Sequence, residues 1–298
     1  MRVAFFGTPD FAIPSLRTLH ESKHQLVCVV TQPDKPSGRG GAVVFSPVKK
    51  YALENNIPVL QPEKISDNVK LLDKFKPEII VTCAFGQFLK RNVLDYCLHG
   101  VINVHGSLLP KYRGSCPIQW AVINGERETG ITIMQTDIGM DTGDIVLQMP
   151  IDINEDETAG ELFGRLSVLG SKALITALAQ IENGTAVRTV QDNSKATSFP
   201  KFSKESGRID WRRTAFEIAN QVRGMNPWPM AFFKSRIGDI RVHKATPFKT
   251  KTGKGLFIAC KDSFLRLDIV QAPGAKAVSG LDFLNGRSHV FDGETVLR

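Results

Sequence analysis

The chain has 298 residues, of which 42% are hydrophobic and 23% are charged, and its formal net charge at pH 7 is +8. This composition is ordinary for a globular protein with a large core, and the length suggests about two domains. No apolar run approaches the roughly 18 residues of a membrane span, and no leader precedes the first strand-like run. We therefore expect a cytoplasmic protein, or an organelle protein that has already been processed, without membrane contact.

Short apolar runs alternate with helix-like stretches from residue 2 to about residue 150. Several of these runs are continuously apolar, which is typical of strands that are covered on both faces. The pattern predicts an α/β fold with a doubly wound, mostly parallel sheet and helices on both of its faces. The predicted strands are residues 2–6, 26–31, 57–60, 78–84, 101–105, 130–136 and 144–151.

The first predicted strand leads into a turn at residues 7–11 and then into a helix predicted to end near residue 20. Only one glycine of a G-x-G-x-x-G motif is present, which disfavours an enzyme that transfers hydride from a dinucleotide. Residues 32–41 are rich in Gly and Pro and predict a loop. Arg39 stands between two glycines of this loop, which is either a plain linker or a flap that presents one cation to a ligand.

Residues 101–110 contain a first candidate site. Residues i and i+2 of a strand point to the same side, so Asn103 and His105 share one face of the strand at 101–105. Open α/β sheets place their ligand sites at the carboxyl ends of strands. An amide that donates to an oxyanion, beside an imidazole that exchanges a proton, suits a reaction that builds an oxyanion while it moves a proton. A polar strand end with satisfied hydrogen bonds is the alternative for an isolated Asn-x-His pair.

Asp141 lies between Gly139 and Gly143, in a predicted loop that follows a strand of the same sheet. A carboxylate at this edge can orient an imidazole and stabilise its cation, as the third member of a catalytic trio does. We therefore expect Asp141 to act on His105. The alternative is an aspartate that serves only the hydrogen bonding of the turn.

The second half of the chain has a different pattern. A capping box at residues 158–161 precedes a long helical pattern, and residues 185–206 are polar and irregular, as a linker would be. Short strand-like runs near residues 231–237, 240–246, 255–260 and 264–270 then predict a small β-barrel. We predict a catalytic domain at 1–184, a linker at 185–206 and a barrel domain at 207–298.

The positive charge lies in the last third of the chain. Residues 1–206 contain 22 Lys and Arg against 22 Asp and Glu, whereas residues 207–298 contain 16 against 8. A basic domain attached to a neutral one indicates a polyanionic partner such as nucleic acid. The alternative is a surface that is basic for solubility alone.

The five cysteines are scattered without a C-x-x-C motif, and the six histidines form no H-E-x-x-H or similar cluster. This spacing predicts neither a disulfide framework nor a metal site. We therefore expect chemistry that uses no metal.

Several motifs give the chain a resemblance to a known family. They are G-T-P-D-F at 7–11, Q-P-D-K-P-x-G-R-G at 32–40, N-V-H-G-S-L-L-P-K-Y-R-G at 103–114, M-D-T-G-D at 140–144 and N-P-W-P at 226–229. With these motifs the chain resembles the folate-dependent formyltransferases nearly end to end, and most closely those that act on methionyl initiator tRNA. The resemblance implies a Rossmann-like formyl-transfer domain, followed by a barrel that is similar to an oligonucleotide-binding fold and helps to hold tRNA.

The resemblance also implies roles for individual residues. Asn103, His105 and Asp141 match the catalytic trio of the family, and Arg39 matches the basic residue of its tRNA-facing loop. The residues that match its folate-binding segment and its pterin-bordering loop are Ser107, Leu108, Leu109, Pro110, Phe85, Gly86, Gln87 and Leu89. The implied formyl donor is 10-formyltetrahydrofolate, and the implied acceptor is the α-amino group of methionyl initiator tRNA. We expect a monomer.

Two other functions remain open at this point. A formyltransferase acting on an amino sugar nucleotide would use the same trio, but it would need neither Arg39 nor a basic barrel. A non-catalytic RNA-binding protein with a decayed enzyme domain is disfavoured, because the trio is intact.

Overall fold

A computed structural model of the chain describes residues 1–37, 42–287 and 296–297. The chain divides into two compact units, which are described separately below. The first unit comprises Met1–Gly114, Thr129–Ile151 and Phe163–Ser198, and the second comprises Ser115–Glu128, Asp152–Leu162 and Phe199–Arg298.

The first unit is built on a seven-stranded sheet with the order β5-β2-β1-β6-β7-β8-β9. The pairs β5–β2, β2–β1, β1–β6 and β6–β7 are parallel, and β7–β8 is antiparallel. The strands up to β9 are β1 Arg2–Gly7, β2 Gln25–Val30, β3 Lys35–Ser37, β4 Ala42–Val44, β5 Val59–Leu60, β6 Ile79–Cys83, β7 Val101–His105, β8 Glu128–Gln135 and β9 Ile145–Asp152. The predicted mostly parallel, Rossmann-like sheet is confirmed.

Continuous apolar runs form the central strands of this sheet. All five residues of β6 are buried, as are Val3 to Phe6 of β1, so both faces of the sheet are covered. The order of the strands reverses between β1 and β6, and an open α/β sheet binds its ligands beside such a point, at the carboxyl ends of the strands. Strand β7 lies beside β6, on the side away from β1, and ends at His105.

Seven helices occur in the described parts of the chain, with short 3-10 turns between them. They are α1 Ile13–His20, α2 Pro47–Glu54, α3 Arg91–Leu94, α4 Pro117–Ile123, α5 Ala159–Glu182, α6 Ala215–Gly224 and α7 Gly280–Arg287. The helix predicted from residue 11 begins as a 3-10 turn at Asp10–Ala12, because Pro14 occupies the first turn of α1 and favours a helix start there.

Helix α5 begins with the predicted capping box, in which Thr158 N–H donates to Glu161 at 2.8 Å and Glu161 N–H donates to the Thr158 hydroxyl at 3.3 Å. The helix has 24 residues and includes an 18-residue window of mean hydropathy 1.4, so its length and composition would suffice to cross a membrane. Half of that window is buried inside the protein. Buried residues such as Leu166 and Leu174 belong to the core, as in any core helix.

The Gly- and Pro-rich stretch at 32–41 is not entirely a loop, which corrects the prediction. Strand β3 pairs with β4 in antiparallel register, with Lys35 opposite Val44 and Ser37 opposite Ala42. The β-branched residues of β4 favour the pleated pairing, whereas the Gly and Pro content of the stretch concealed it in the sequence.

The second unit carries an antiparallel, curled sheet with the order β10-β11-β13-β12-β15, and β14 pairs with β13. Irregular pairing between Val242 and Ala245 bends β11, as β-bulges do. Ile218, Phe233, Val242 and Leu267 belong to its core cluster. The predicted small barrel-like domain is confirmed. Its strands are β10 Ala231–Ser235, β11 Gly238–Phe248, β12 Leu256–Ala259, β13 Phe264–Gln271, β14 Val278–Ser279 and β15 Val296–Leu297.

Candidate active site

Strand β7 carries Asn103 and His105 to the predicted edge of the sheet. Asn103 lies opposite Thr82 of β6 and Met134 of β8, and His105 lies opposite Thr132. His105 is 6% exposed, whereas Asn103 is half-buried. Because the two residues are separated by two positions of one strand, their side chains leave it on the same face.

The amide of Asn103 is oriented by a neighbour on the adjacent strand. The buried Thr82 hydroxyl donates to Asn103 Oδ1 at 2.9 Å and lies 3.2 Å from the carbonyl oxygen of Ile102. No partner of Asn103 Nδ2 is found within residues 1–37, 42–287 and 296–297, so this nitrogen is left to donate to a ligand. Sequence reasoning missed Thr82, because its role arises only from the pairing of β6 with β7.

The imidazole of His105 lies between two acceptors. Its Nε2 atom is 2.9 Å from the carbonyl oxygen of Tyr112, and its Nδ1 atom is 3.6 Å from Oδ2 of Asp141. A carbonyl oxygen can only accept, so Nε2 carries a proton in this arrangement. The ring is therefore held in one plane beside a carboxylate, as an imidazole that moves protons requires.

The loop between β8 and β9 directs the carboxylate of Asp141 toward the site. Asp141 adopts a left-handed backbone conformation with φ of 54°, which aspartate tolerates better than most residues. Its Oδ2 accepts a 2.7 Å hydrogen bond from Gly114 N–H. The side-chain hydrogen bonds of the turn itself come from Asp137, which accepts from Gly139 N–H at 3.0 Å and from the Thr142 hydroxyl at 2.7 Å.

One glycine in this loop is required by close packing. A Cβ atom at Gly143 would lie 1.8 Å from the carbonyl oxygen of Gln135, which no side chain permits. The loop therefore folds back tightly onto the end of β8, and this brings Asp141 to the same sheet edge as His105.

The segment at 107–110 is held by buried hydrogen bonds. Ser107 is fully buried, and its hydroxyl donates to the carbonyl oxygen of Lys111 at 2.7 Å. Leu109 N–H donates to the Thr132 hydroxyl at 3.1 Å, and that hydroxyl donates to the carbonyl oxygen of Ser107 at 2.6 Å. Leu108 and Pro110 are the partly exposed residues of this predicted folate-binding segment, so their side chains are the ones available to a ligand.

Three side chains of the predicted pterin-bordering loop at 85–89 are used for packing. Phe85 and Leu89 are buried in a core cluster, and the two ends of the Gln87 amide bind Ile65 N–H at 2.9 Å and the carbonyl oxygen of Pro62 at 3.1 Å. Gly86 is exposed and has φ of 82°. The backbone around Gly86 and the side chain of Phe88, which is 65% exposed, are therefore the parts of this loop that a ligand can reach.

Arg39 lies outside the described residues. Asp34, just before β3, accepts hydrogen bonds from Lys49 and, at 2.9 Å, from Gln61. The hydrogen bond from Lys49 and then that from Gln61 hold the pKa of Asp34 below its usual value. The Asp34 carboxylate therefore stays charged near neutral pH.

The described part of the chain contains no group of three or more His, Cys, Asp and Glu residues arranged to hold a metal ion. Near the site, burial raises the pKa of the Cys83 thiol to about 12, so this thiol is not a nucleophile at neutral pH. Asn103, His105 and Asp141 place an amide, an imidazole and a carboxylate at this sheet edge.

Comparison with known proteins relates the chain to one family. The family described as formyl transferase matches residues 1–178, and the family described as formyl transferase, C-terminal domain, matches residues 201–288. The methionyl-tRNA formyltransferase of Acetivibrio thermocellus is 43% identical over 99% of this chain and 99% of its own length. That of Agathobacter rectalis is 49% identical over 78% of this chain and 76% of its own length.

A solved structure shares the fold at lower sequence identity. The N-formyltransferase of Helicobacter canadensis, described in complex with folinic acid and dTDP-3-aminofucose, superposes with a TM-score of 0.68 at 23% identity, covering 93% of this chain and 98% of its own. By its two family matches and its full-length relatives, the chain belongs to the formyl transferase family and groups within it with the methionyl-tRNA formyltransferases.

Proposed function

We propose that this chain transfers the formyl group of 10-formyltetrahydrofolate to the α-amino group of methionyl initiator tRNA. The observation that carries the proposal is the His105–Asp141 pair, 3.6 Å apart, on the same sheet edge as the amide of Asn103, which the Thr82 hydroxyl holds by its oxygen. The full-length likeness to methionyl-tRNA formyltransferases supports the choice of acceptor.

The reaction begins with attack of the amine on the formyl carbon. An α-amino group has a reference pKa of about 7.7 to 8.0, so much of it is a free nucleophile at neutral pH. Attack forms the new carbon–nitrogen bond and converts the formyl oxygen into an oxyanion. Asn103 Nδ2 donates to this oxyanion, a type of contact whose loss costs about a hundred- to thousandfold in rate.

The second step breaks the bond between the formyl carbon and the folate nitrogen. That nitrogen leaves easily only when it is protonated. Nδ1 of His105, the ring nitrogen that the Tyr112 carbonyl does not hold, takes the proton that the attacking amine must lose and passes it to the folate nitrogen. Asp141 keeps the imidazole oriented and compensates its positive charge. No bond between enzyme and formyl group is needed.

The folate is proposed to lie along the segment from Ser107 to Pro110 and the loop from Phe85 to Leu89. The partly exposed side chains of Leu108 and Pro110 support an apolar contact, and the exposed backbone at Gly86 supports hydrogen bonds to a flat, polar ring.

The tRNA is proposed to bind the domain at residues 207–298, with 16 Lys and Arg against 8 Asp and Glu, while residues 1–184 carry formyl transfer and residues 185–206 connect the two. Arg39 is proposed to face the acceptor end. We further propose a monomer in the cytoplasm, where aminoacylated tRNA is made.

An amino sugar nucleotide is the competing acceptor, since the Helicobacter canadensis protein with this fold is described with such a ligand. The purified protein is offered 10-formyltetrahydrofolate with either methionyl initiator tRNA or dTDP-3-aminofucose, and formylated product is measured. We expect turnover with methionyl initiator tRNA and none with dTDP-3-aminofucose. Turnover with the sugar nucleotide and none with the tRNA would overturn the proposal.

A further inference from the structure

We propose that residues 189–198, which we call the strap, position both partners of the His105 imidazole. The strap lies within the stretch that the sequence predicted to be a linker. Its buried contacts reach Tyr112, whose carbonyl faces Nε2 of His105, and Asp141, whose carboxylate faces Nδ1. The kinetic part of the test rests on the proposed function.

The strap is fastened to the first unit at both ends by backbone hydrogen bonds. Thr189 exchanges two bonds with Ile145, the first residue of β9, at 2.8 and 2.9 Å. At the other end, Arg113 N–H donates to the carbonyl oxygen of Thr197 at 2.8 Å, and Tyr112 N–H donates to the Thr197 hydroxyl at 2.9 Å. Thr197 therefore fixes the peptide units on either side of Tyr112.

Gln191 connects the middle of the strap to the loop of Asp141. Its Nε2 atom donates to the carbonyl oxygens of Asp141 at 2.9 Å and Gly143 at 2.7 Å. Its Oε1 atom accepts from Arg113 Nε at 3.0 Å and Nη2 at 2.8 Å. Both amide protons and both lone pairs are used, so no other side chain satisfies this set of partners.

These contacts converge on His105. The Tyr112 carbonyl accepts from Nε2 of His105, and Gly114 N–H donates to the carboxylate of Asp141. Arg113, between them, is bound to Gln191. Movement of the strap would therefore displace both neighbours of the imidazole together.

The strap contributes little else to the fold. Gln191, at 5% exposure, is its one buried residue, whereas the neighbouring Val190 is 78% exposed. Loss of the Gln191 amide is therefore expected to alter the alignment of His105 more than the packing of the core. Val190→Ala, on the same strap, is the matched control.

The test is a double-mutant cycle between Gln191 and Asp141. Since misplacement of a catalytic group by about 1 Å costs up to about a hundredfold, we expect Gln191→Leu to lower kcat at least about tenfold and to leave the KM for 10-formyltetrahydrofolate within about twofold. In an Asp141→Asn background the same change should lower kcat by a clearly smaller factor than in the wild type, because one of the two positioned groups is already lost. Val190→Ala should match the wild type.

Two outcomes would overturn the proposed role of the strap. One is a Gln191→Leu enzyme with normal kcat. The other is a double variant in which kcat falls by the product of the two single-variant factors, as expected if Gln191 acts independently of Asp141. If Gln191→Leu does not fold, variants of Thr197 replace it in the test. Thr197→Val should lower kcat, and Thr197→Ser, which keeps the hydroxyl, should have normal kcat. A fully active Thr197→Val enzyme would contradict the proposal.

An NMR spectrum of the His105 ring separates this proposal from the proposed function, because it needs no substrate. The ring signals should move away from their wild-type positions in Gln191→Leu, or in Thr197→Val. Unchanged ring signals in the strap variants would overturn the proposed role of the strap, even if the wild type formylates tRNA. A wild type inactive on methionyl-tRNA, with ring signals that move as expected, would overturn only the proposed acceptor.

Discussion

Oδ2 of Asp141 lies 3.6 Å from Nδ1 of His105 and at the same time accepts a 2.7 Å hydrogen bond from Gly114 N–H. The carboxylate is thus anchored by a backbone group and still directed at the imidazole. A separation of 3.6 Å is longer than a hydrogen bond, and catalytic pairs of this kind tighten when substrate binds. The pair is the arrangement from which the proposed proton transfer starts.

Removal of the charge at Asp141 tests this pair. Asp141→Asn keeps the size of the side chain, an acceptor for Gly114 N–H and a residue that tolerates the φ of 54°. We expect kcat to fall at least about a hundredfold, because the imidazolium loses its compensating charge, while the melting temperature stays within about 2 °C. Steady-state kinetics and a thermal melt check this, and a fully active variant would leave Asp141 with a structural role only.

The Thr132 hydroxyl is expected to stabilise the fold rather than take part in the reaction. It accepts from Leu109 N–H at 3.1 Å and from Gln148 Nε2 at 3.0 Å, and it donates to the carbonyl oxygen of Ser107. Thr132→Val leaves the buried Leu109 N–H and Ser107 carbonyl without this partner, which we expect to cost about 1 to 3 kcal/mol of the free energy of unfolding.

Thr132→Ser is the matched variant, since it keeps the hydroxyl and loses one methyl group, worth about 1 kcal/mol. Urea unfolding should give Thr132→Val a lower free energy of unfolding than Thr132→Ser. The opposite order would mean that the methyl contact outweighs the hydrogen bonds.

Thiol reactivity should follow burial. Burial raises the pKa of Cys28, Cys83 and Cys97 to about 12 and that of Cys260 to about 11, so these thiols stay protonated until the pH approaches those values. Cys116 is partly exposed. Since the thiolate is the reactive form, labelling with iodoacetamide at pH 8 should modify Cys116 first.

Mass spectrometry of the labelled peptides identifies the site, and Cys116→Ser should remove the fast phase. Rapid labelling of Cys83 in the folded protein would show that the end of β6 is open to solvent, contrary to its full burial.

The basic domain predicts a strong dependence of tRNA binding on salt. Each phosphate contact made by Lys or Arg releases counterions, so the logarithm of the affinity should fall by about 0.7 to 0.9 per contact for each unit of the logarithm of salt concentration. Binding of 10-formyltetrahydrofolate, measured in the same buffers, serves as the control and should change little. A flat tRNA profile would argue against residues 207–298 as a tRNA-binding surface.

The periodicity of the sequence predicted most of the fold because the central strands are apolar on both faces. Strand β7 was predicted with its observed ends, since branched residues start it and Gly106 follows it. The order of the strands then places Asn103, His105 and Asp141 at one edge, as the pattern indicated. The hairpin of β3 and β4 was missed because Gly and Pro mask a short pairing.

The partners that hold the site were not predictable from sequence patterns. Thr82 meets Asn103 only through strand pairing, and the Tyr112 carbonyl meets His105 through a backbone atom that every residue has. Gln191 lies in a polar, irregular stretch that has no periodicity to mark it, and its role depends on contacts about 50 residues away in the chain.

The most direct test is the single-turnover rate at which a labelled formyl group passes from 10-formyltetrahydrofolate to methionyl initiator tRNA, compared among wild type, Asn103→Ala and His105→Ala. We expect transfer by the wild type, and a loss of about a hundredfold or more in each variant with a nearly unchanged melting temperature, because both side chains act on the transition state. Near-normal transfer by the variants, or loss of rate only together with loss of stability, would contradict the assignment.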